Sequence, residues 1–226
     1  MYRERPSRVP GGFVWSSVST GDDTRVLPDG CMDLLWDGHD ISIAGADTHA
    51  QLFANEAGAR MTGLRFAPGY APRVLGVPAA ELSDQRVPLA AVWPGDRARL
   101  VTDLVASSPD PGRALEAIAL RYCSPPDENA VLVERVAELA RAGYNSTAIA
   151  HRVGLSTRQL QRKSTAAFGY GAKTLSRILR MQCALTLVRG GGRLADSAAR
   201  AGYADQSHLA RDVKDMAGVP IGRLIS

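Results

Sequence analysis

Arg193-Leu-Ala-Asp-Ser-Ala-Ala-Arg-Ala-Gly-Tyr-Ala-Asp-Gln-Ser-His-Leu-Ala-Arg-Asp-Val-Lys214 reads as two short helices joined by a tight turn. Leu194, Ala198 and Ala201 give the first helix a small apolar face, and Gly202 supplies the left-handed backbone position that a sharp turn requires. Asp205 is placed to cap a second helix, in which Leu209 and Val213 face inward while Arg211 and Lys214 face outward. Two helices so joined form a helix-turn-helix, whose second helix can enter the major groove of DNA.

The unit occurs twice. In Ser146-Thr-Ala-Ile-Ala-His-Arg-Val-Gly-Leu-Ser-Thr-Arg-Gln-Leu-Gln-Arg-Lys163, Ala150 and Gly154 repeat the spacing of Ala198 and Gly202, 48 residues upstream. Ser156 is the matching N-cap and Leu160 the inward anchor. Between the units a helix is expected over about 171–189, with Leu175, Ile178, Leu179, Ala184, Leu185 and Val188 apolar and Gly190-Gly-Gly192 ending it. At 1.5 Å per residue it would be roughly 28 Å long. That is close to the ~34 Å between successive major grooves on one DNA face. A further helix is expected over about 130–142, with Val131, Val136 and Leu139 inward.

These residues resemble the DNA-binding domain of AraC-type transcriptional regulators. Gly202-Tyr-Ala-Asp-Gln-Ser-His-Leu209, followed by Arg211 and Ala217-Gly218-Val219, carries the resemblance, which spans roughly residues 130–226. Ser164 departs from it where a core aromatic is usual, and Val213 is smaller at the equivalent place in the second unit. Ala172 stands where proline is usual, and Pro220 comes one residue early. The resemblance implies a tandem helix-turn-helix domain and double-stranded DNA as partner. Were the chain an activator rather than a repressor, RNA polymerase would be a further partner.

The charge agrees with a polyanionic partner for one half only. Residues 1–128 hold 12 Lys+Arg against 17 Asp+Glu, a net of −5, whereas residues 129–226 hold 15 against 6, a net of +9. On the first recognition helix, Ser156, Thr157, Arg158, Gln159, Arg162 and Lys163 are the exposed polar candidates for DNA contact. Arg suits guanine O6/N7 and Gln suits adenine N6/N7, so Arg158 and Arg162 are the expected base readers. On the second, Asp205, Gln206, Ser207, Arg211 and Lys214 are the candidates, with Lys163, Arg211 and Lys214 expected on phosphate. Arg180, with Arg177, sits on the joining helix, where phosphate contact and a solvated face are equal alternatives. His208, beside Leu209, reads as a partly buried structural residue.

The whole chain is therefore expected to be α+β. Residues 1–95 read as a small β-rich domain of barrel or sandwich type: Phe13–Val18, Cys31–Trp36, Ile41–Ala44 and Met61–Phe66 are short apolar runs separated by Gly, Pro and Asp turns. Residues 96–122 form a helical connector, in which Ala98, Val101, Leu104 and Val105 share one face and Ala114, Ala117, Ile118 and Arg121 another. An ordinary core face is the plainer reading of such stripes, and homodimer contact is the alternative. Residues 123–129, Cys-Ser-Pro-Pro-Asp-Glu-Asn, are a linker. Pro28–Leu34 and Gly63–Gly69 resemble a short domain of unassigned function often found ahead of AraC-type modules.

Trp15, Trp36 and Phe66, with Phe13 and Trp93, could line an effector pocket in which Arg25, Asp33 or Arg65 orients a small molecule. The plainer reading is that the aromatics fill a small barrel. Asp29, Asp33, Asp37 and Asp40 with His39 and His49 suggest metal, yet most of these acids sit in turns and no His-x-His spacing exists, so no metal or other cofactor is expected. Cys31, Cys123 and Cys183 form no metal-type pair and fit a reducing cytosol; redox sensing by one of them stays open.

No catalytic residue is expected, because neither a nucleophile motif nor the cysteine arrangement of a DNA-alkylation repair enzyme is present. The alternative to a regulator is a metal- or small-molecule-binding barrel enzyme fused to a DNA-binding module. A nucleoid protein without sequence preference is a third class, disfavoured by two polar recognition helices. No apolar run approaches the ~20 residues of a membrane span. The start, Met1-Tyr-Arg-Glu-Arg-Pro, lacks a signal-peptide core, so a cytoplasmic location at the nucleoid is expected.

Overall fold

The computed structural model describes residues 2–54 and 56–225. Period-two alternation in the N-terminal half produces a six-stranded antiparallel sheet in the order β1-β2-β7-β4-β5-β8. Its strands are β1 (Tyr2–Pro6), β2 (Phe13–Val18), β4 (Met32–Trp36), β5 (Ile41–Ala44), β7 (Arg60–Phe66) and β8 (Arg86–Pro88). A two-stranded ribbon, β3 (Thr24–Val26) paired with β6 (Gln51–Phe53), faces the sheet as the smaller layer of a sandwich.

One face of the large sheet is dry. Leu34, Ile43, Leu64 and Phe66 on it are buried. Over it lie α1 (Ala71–Leu75), α2 (Gly95–Ala106) and α3 (Pro111–Tyr122), with α3 packed directly on β2 and β7. Asp110 starts α3 by accepting from the Arg113 amide at 3.0 Å. The carboxylate of Glu116, buried on α3, draws in the N-terminal strand: Arg5 donates to it twice, at 2.9 and 3.1 Å, and Ser7 Oγ and the Arg8 amide each donate at 2.8 Å. Burial alone would raise this carboxyl, but the donors outweigh it and hold it at about 2.

The expected faces of these helices need correcting. Ala98, Val101 and Val105 are buried on α2, but Leu104 is 52% exposed. On α3 the inward stripe is Leu115, Ile118 and Ala119, while Ala117 and Arg121 face solvent. Amphipathic helices with alanine on several sides leave the stripe's centre ambiguous by one residue, and the sheet decides it.

The C-terminal half is helical throughout. After α4 (Glu128–Arg141), α5 (Ser146–Arg152) and α6 (Thr157–Phe168) form the first helix-turn-helix, and α8 (Leu194–Arg200) and α9 (Gln206–Ala217) the second. Between them runs α7 (Ala172–Arg189), 18 residues or about 27 Å long. A short α10 (Gly222–Ile225) follows. Each unit turns on a glycine at positive φ, Gly154 at 68° and Gly202 at 83°, where a side chain would be strained. On α4, Val136 and Leu139 are buried as expected, but Val131 is 63% exposed; Val133 takes the inward position instead.

Buried side chains of the two halves form one continuous apolar core. Among the described residues, three polar contacts cross the junction at the ribbon and its flanking loops. Arg25 Nη1 donates to the Ala217 carbonyl at 2.7 Å, the Ala50 amide to the Met216 carbonyl at 2.7 Å, and Gln182 Nε2 to the Pro28 carbonyl at 2.6 Å.

Candidate functional site

The first recognition helix begins with a closed capping box. Ser156 Oγ accepts from the Gln159 amide at 3.2 Å, and Gln159 Oε1 accepts from the Ser156 amide at 2.9 Å. Gln159 Oε1 also accepts from Ser156 Oγ at 2.9 Å. Its carbonyl oxygen is thus occupied within the helix start, and a two-point contact with adenine would first have to open the box. Lys163 is half-buried and donates to Asn129 Oδ1 at 2.8 Å, which ties α6 to α4 rather than leaving the ammonium in solvent. Thr157, Arg158 and Arg162 stand exposed on the outer face, behind which Leu160 is buried.

Ser164, where an aromatic is usual, is buried, and its hydroxyl has no hydrogen-bond partner among the described residues. Phe168, one turn later and 1% exposed, supplies the aromatic bulk of this helix. Without proline at Ala172, α7 starts from the backbone of Gly171, with no side-chain cap.

The second recognition helix starts at Asp205, whose carboxylate accepts from the His208 amide at 2.7 Å. Gln206, Ser207, Arg211 and Lys214 are exposed, while Leu209 and Val213 are buried. His208 is half-buried, its ring edge-on to Tyr203 at 5.1 Å. Behind this helix a charged strut fixes it to α7. Arg177 and Arg180 reach Asp212 at 2.8 and 3.0 Å, and Arg177 also reaches Asp215 at 2.8 Å. Burial raises the Asp212 carboxyl, but the two guanidiniums more than offset it and hold it below the usual carboxylate range. Arg180 is moreover stacked over the Tyr203 ring at 4.2 Å. Neither alternative read for Arg180, phosphate contact or a solvated face, describes its place here: its guanidinium is paired with Asp212 and helps hold the second unit against α7. Sequence reading missed the strut because Asp212 lies between outward-facing Arg211 and inward-facing Val213. Its i, i+3 relation to Asp215 was the available signal.

A cavity of about 380 Å³ lies between the large sheet and the ribbon. Of the residues proposed for an effector pocket, Trp15, Asp33 and Arg65 line it. Trp36 and Phe66 do not: strand alternation puts them on the helix-covered face, buried in the core. Trp93 joins that same core, donating from Nε1 to the Leu75 carbonyl at 3.0 Å. Arg25 is also excluded from the lining, because its side chain leaves the ribbon toward α9.

The cavity floor depends on one glycine. Trp15 and Gly63 are opposite each other on β2 and β7, and a Cβ at Gly63 would stand 2.3 Å from the Trp15 ring. The bare backbone lets the indole lie across the strand, where Nε1 donates to Asp33 Oδ1 at 2.6 Å. Arg65 Nε lies 3.6 Å from Asp33 and 3.4 Å from Asp29. Burial pushes the Asp33 carboxyl up to about 6 despite Arg65. Asp47, Phe53 and Cys31, which the sequence did not single out for a pocket, also line the cavity. Burial, reinforced by repulsion from Asp84, pushes the Asp47 carboxyl up to about 7. Among the described residues no group of three or more His, Cys, Asp or Glu is arranged to hold a metal ion, and no helix is long and apolar enough to cross a membrane.

With this geometry in place, comparison with known proteins shows what the two halves are similar to. Residues 149–225 match the family model described as a helix-turn-helix domain, and residues 13–88 match a domain of unknown function, DUF6597. No curated protein matches the chain. Among solved structures, apo ToxT from Vibrio cholerae, in a lysine-to-alanine variant, is similar over 97% of this chain and 98% of its own, with 11% identity and a TM-score of 0.50. Wild-type ToxT bound to an unsaturated fatty acid is similar over 95% and 94%, with 12% identity and a TM-score of 0.49. The first likeness speaks for the fold alone, and the second adds no argument to it.

Proposed function

We propose that this chain, a DNA-binding transcriptional regulator with an AraC-type helix-turn-helix domain, reads two adjacent major grooves through α6 and α9 and responds to a small molecule in its N-terminal cavity. The carrying observation is the pair of capped recognition helices, each with an exposed basic face, joined by a helix of about 27 Å. Arg158 and Arg162 read bases from α6; Gln206, Ser207, Arg211 and Lys214 contact phosphate and groove edges from α9. Thr157 stands beside them at the α6 N-terminus, while Ser156 and Asp205 serve as caps whose helix ends also favour phosphate. The protein would work in the cytoplasm, on the nucleoid.

Two adjacent surfaces support the ligand part of this reading. The ribbon that roofs the cavity also holds the last turn of α9, through Arg25 to Ala217, and the loop before β6 does so through Ala50 to Met216. A ligand that shifts the ribbon therefore bears directly on the second recognition helix.

Titration of the full-length chain against fluorescent duplexes at stepped salt concentrations tests the DNA part. A selected site should bind roughly a thousandfold or more tighter than random DNA at physiological salt. Equal affinities with a steep salt dependence would replace the regulator by a non-specific binder.

A further inference from the structure

We propose that the cavity beneath the β3–β6 ribbon takes an organic cation, an amine carried on a small aromatic or apolar body, with Asp47 as its counter-charge. This rests on the reading of the cavity as a ligand site and names the ligand's chemical class.

The charge of the walls decides against an anion. Three carboxylates, Asp29, Asp33 and Asp47, face two guanidiniums, Arg65 and Arg86. Arg65 lies within 3.6 Å of both Asp29 and Asp33, so its charge is already answered. Arg86 is exposed, its Nε donating to Ser42 Oγ at 3.0 Å, and water screens its charge. An entering carboxylate would meet three acids, and the one buried guanidinium already faces two of them.

Asp47 is the wall group that lacks an answer. Among the described residues its carboxylate accepts only from Gln51 Nε2, at 3.3 Å, and has no ion pair. A half-buried carboxylate in that position costs free energy when ionised, which is why burial and Asp84 push it up to about 7. A ligand ammonium beside it would remove that cost. The remaining wall suits the body of such a ligand. The Trp15 indole, stacked on Tyr2 at 6.1 Å and close against Gly63, and Phe53, whose ring lies 5.8 Å from the Arg86 guanidinium, give the cavity aromatic walls against which an apolar body can pack. At about 380 Å³ the space sits at the small end of the ~300–1,000 Å³ that houses small-molecule ligands. Asp47 belongs to the same loop as Ala50, whose amide holds the Met216 carbonyl at 2.7 Å, so the cation would sit on the segment that grips α9.

The test uses the free full-length protein and three probes with a shared body: phenethylamine, phenethyl alcohol and phenylacetate. Binding is followed by calorimetry and by intrinsic tryptophan fluorescence, without DNA. The amine should bind roughly tenfold or more tighter than the other two, and Asp47→Asn should bring the amine down to the level of the alcohol. Phenylacetate or the alcohol binding as tightly as the amine would overturn the charge class while leaving a ligand site in place. Binding by none of the three at millimolar concentration would overturn the cavity reading as well. Neither result touches DNA binding, which the duplex titration tests separately.

Discussion

Arg25 Nη1 donates to the carbonyl of Ala217 at 2.7 Å, joining the ribbon over the N-terminal cavity to the last residue of the second recognition helix. The helix's C-terminal carbonyls carry partial negative charge, so a guanidinium is the partner they favour. Arg25→Ala should cost about 1–2 kcal/mol of stability. It should also remove the slowing of amide exchange in residues 213–217 that phenethylamine binding produces in the unaltered protein. Hydrogen-exchange mass spectrometry with and without the amine checks this. An unchanged ligand effect in the variant would remove Arg25 from the route.

Gly63→Val should close the cavity floor. The added side chain begins 2.3 Å from the Trp15 ring, so the indole must leave Asp33. Overpacking of this kind costs about 1–3 kcal/mol. The expected readout is a red shift of the tryptophan emission, lost amine binding and an unaltered helical circular-dichroism signal.

Much of the DNA-binding half was legible because caps and turns are local. Ser156 and Asp205 cap as their residue types demand, and Gly154 and Gly202 turn where only a residue free of Cβ is comfortable. The cavity was only half legible. Trp15, Asp33 and Arg65 could be named, but Trp36 and Phe66 fall on the opposite face once the register fixes the pleat. Phe53 on the ribbon and Asp47 in the loop before it escaped notice since the ribbon is three residues a side and pairs across a long gap in sequence. Arg180 and Lys163 look like free cations in sequence and find their partners, Asp212 and Asn129, only in the packed domain.

Breaking the strut behind α9 should be costly. Asp212→Ala leaves Arg177 and Arg180 facing each other without their shared carboxylate, a loss of about 1–3 kcal/mol given their partial exposure. Thermal melting should fall accordingly, and DNA affinity should drop although no DNA-facing side chain is altered.

Glu116 sets an acid limit on the fold. Its carboxyl is held at about 2 against an ordinary value of 4.5, so its stabilisation is present in full above about 4.5 and is lost as the pH falls toward 2. Glu116→Gln should cost about 2–3 kcal/mol at neutral pH and flatten the stability profile between pH 4.5 and 2. Urea unfolding of both proteins across that range gives the comparison.

Arg162→Ala should lower affinity for the selected site by about 1–3 kcal/mol and relax preference at one base pair, because Arg162 stands exposed on α6. Lys214→Ala should weaken all duplexes alike and reduce the salt slope by about one. Competition titrations with single-base variants separate the two outcomes.

The most direct measurement of the central claim is selection of bound sequences from a random duplex pool by the full-length protein. Use of both recognition helices by one chain predicts a bipartite site with half-elements about 10 base pairs apart. Enrichment of a motif confined to a single groove, or of no motif at all, would contradict it.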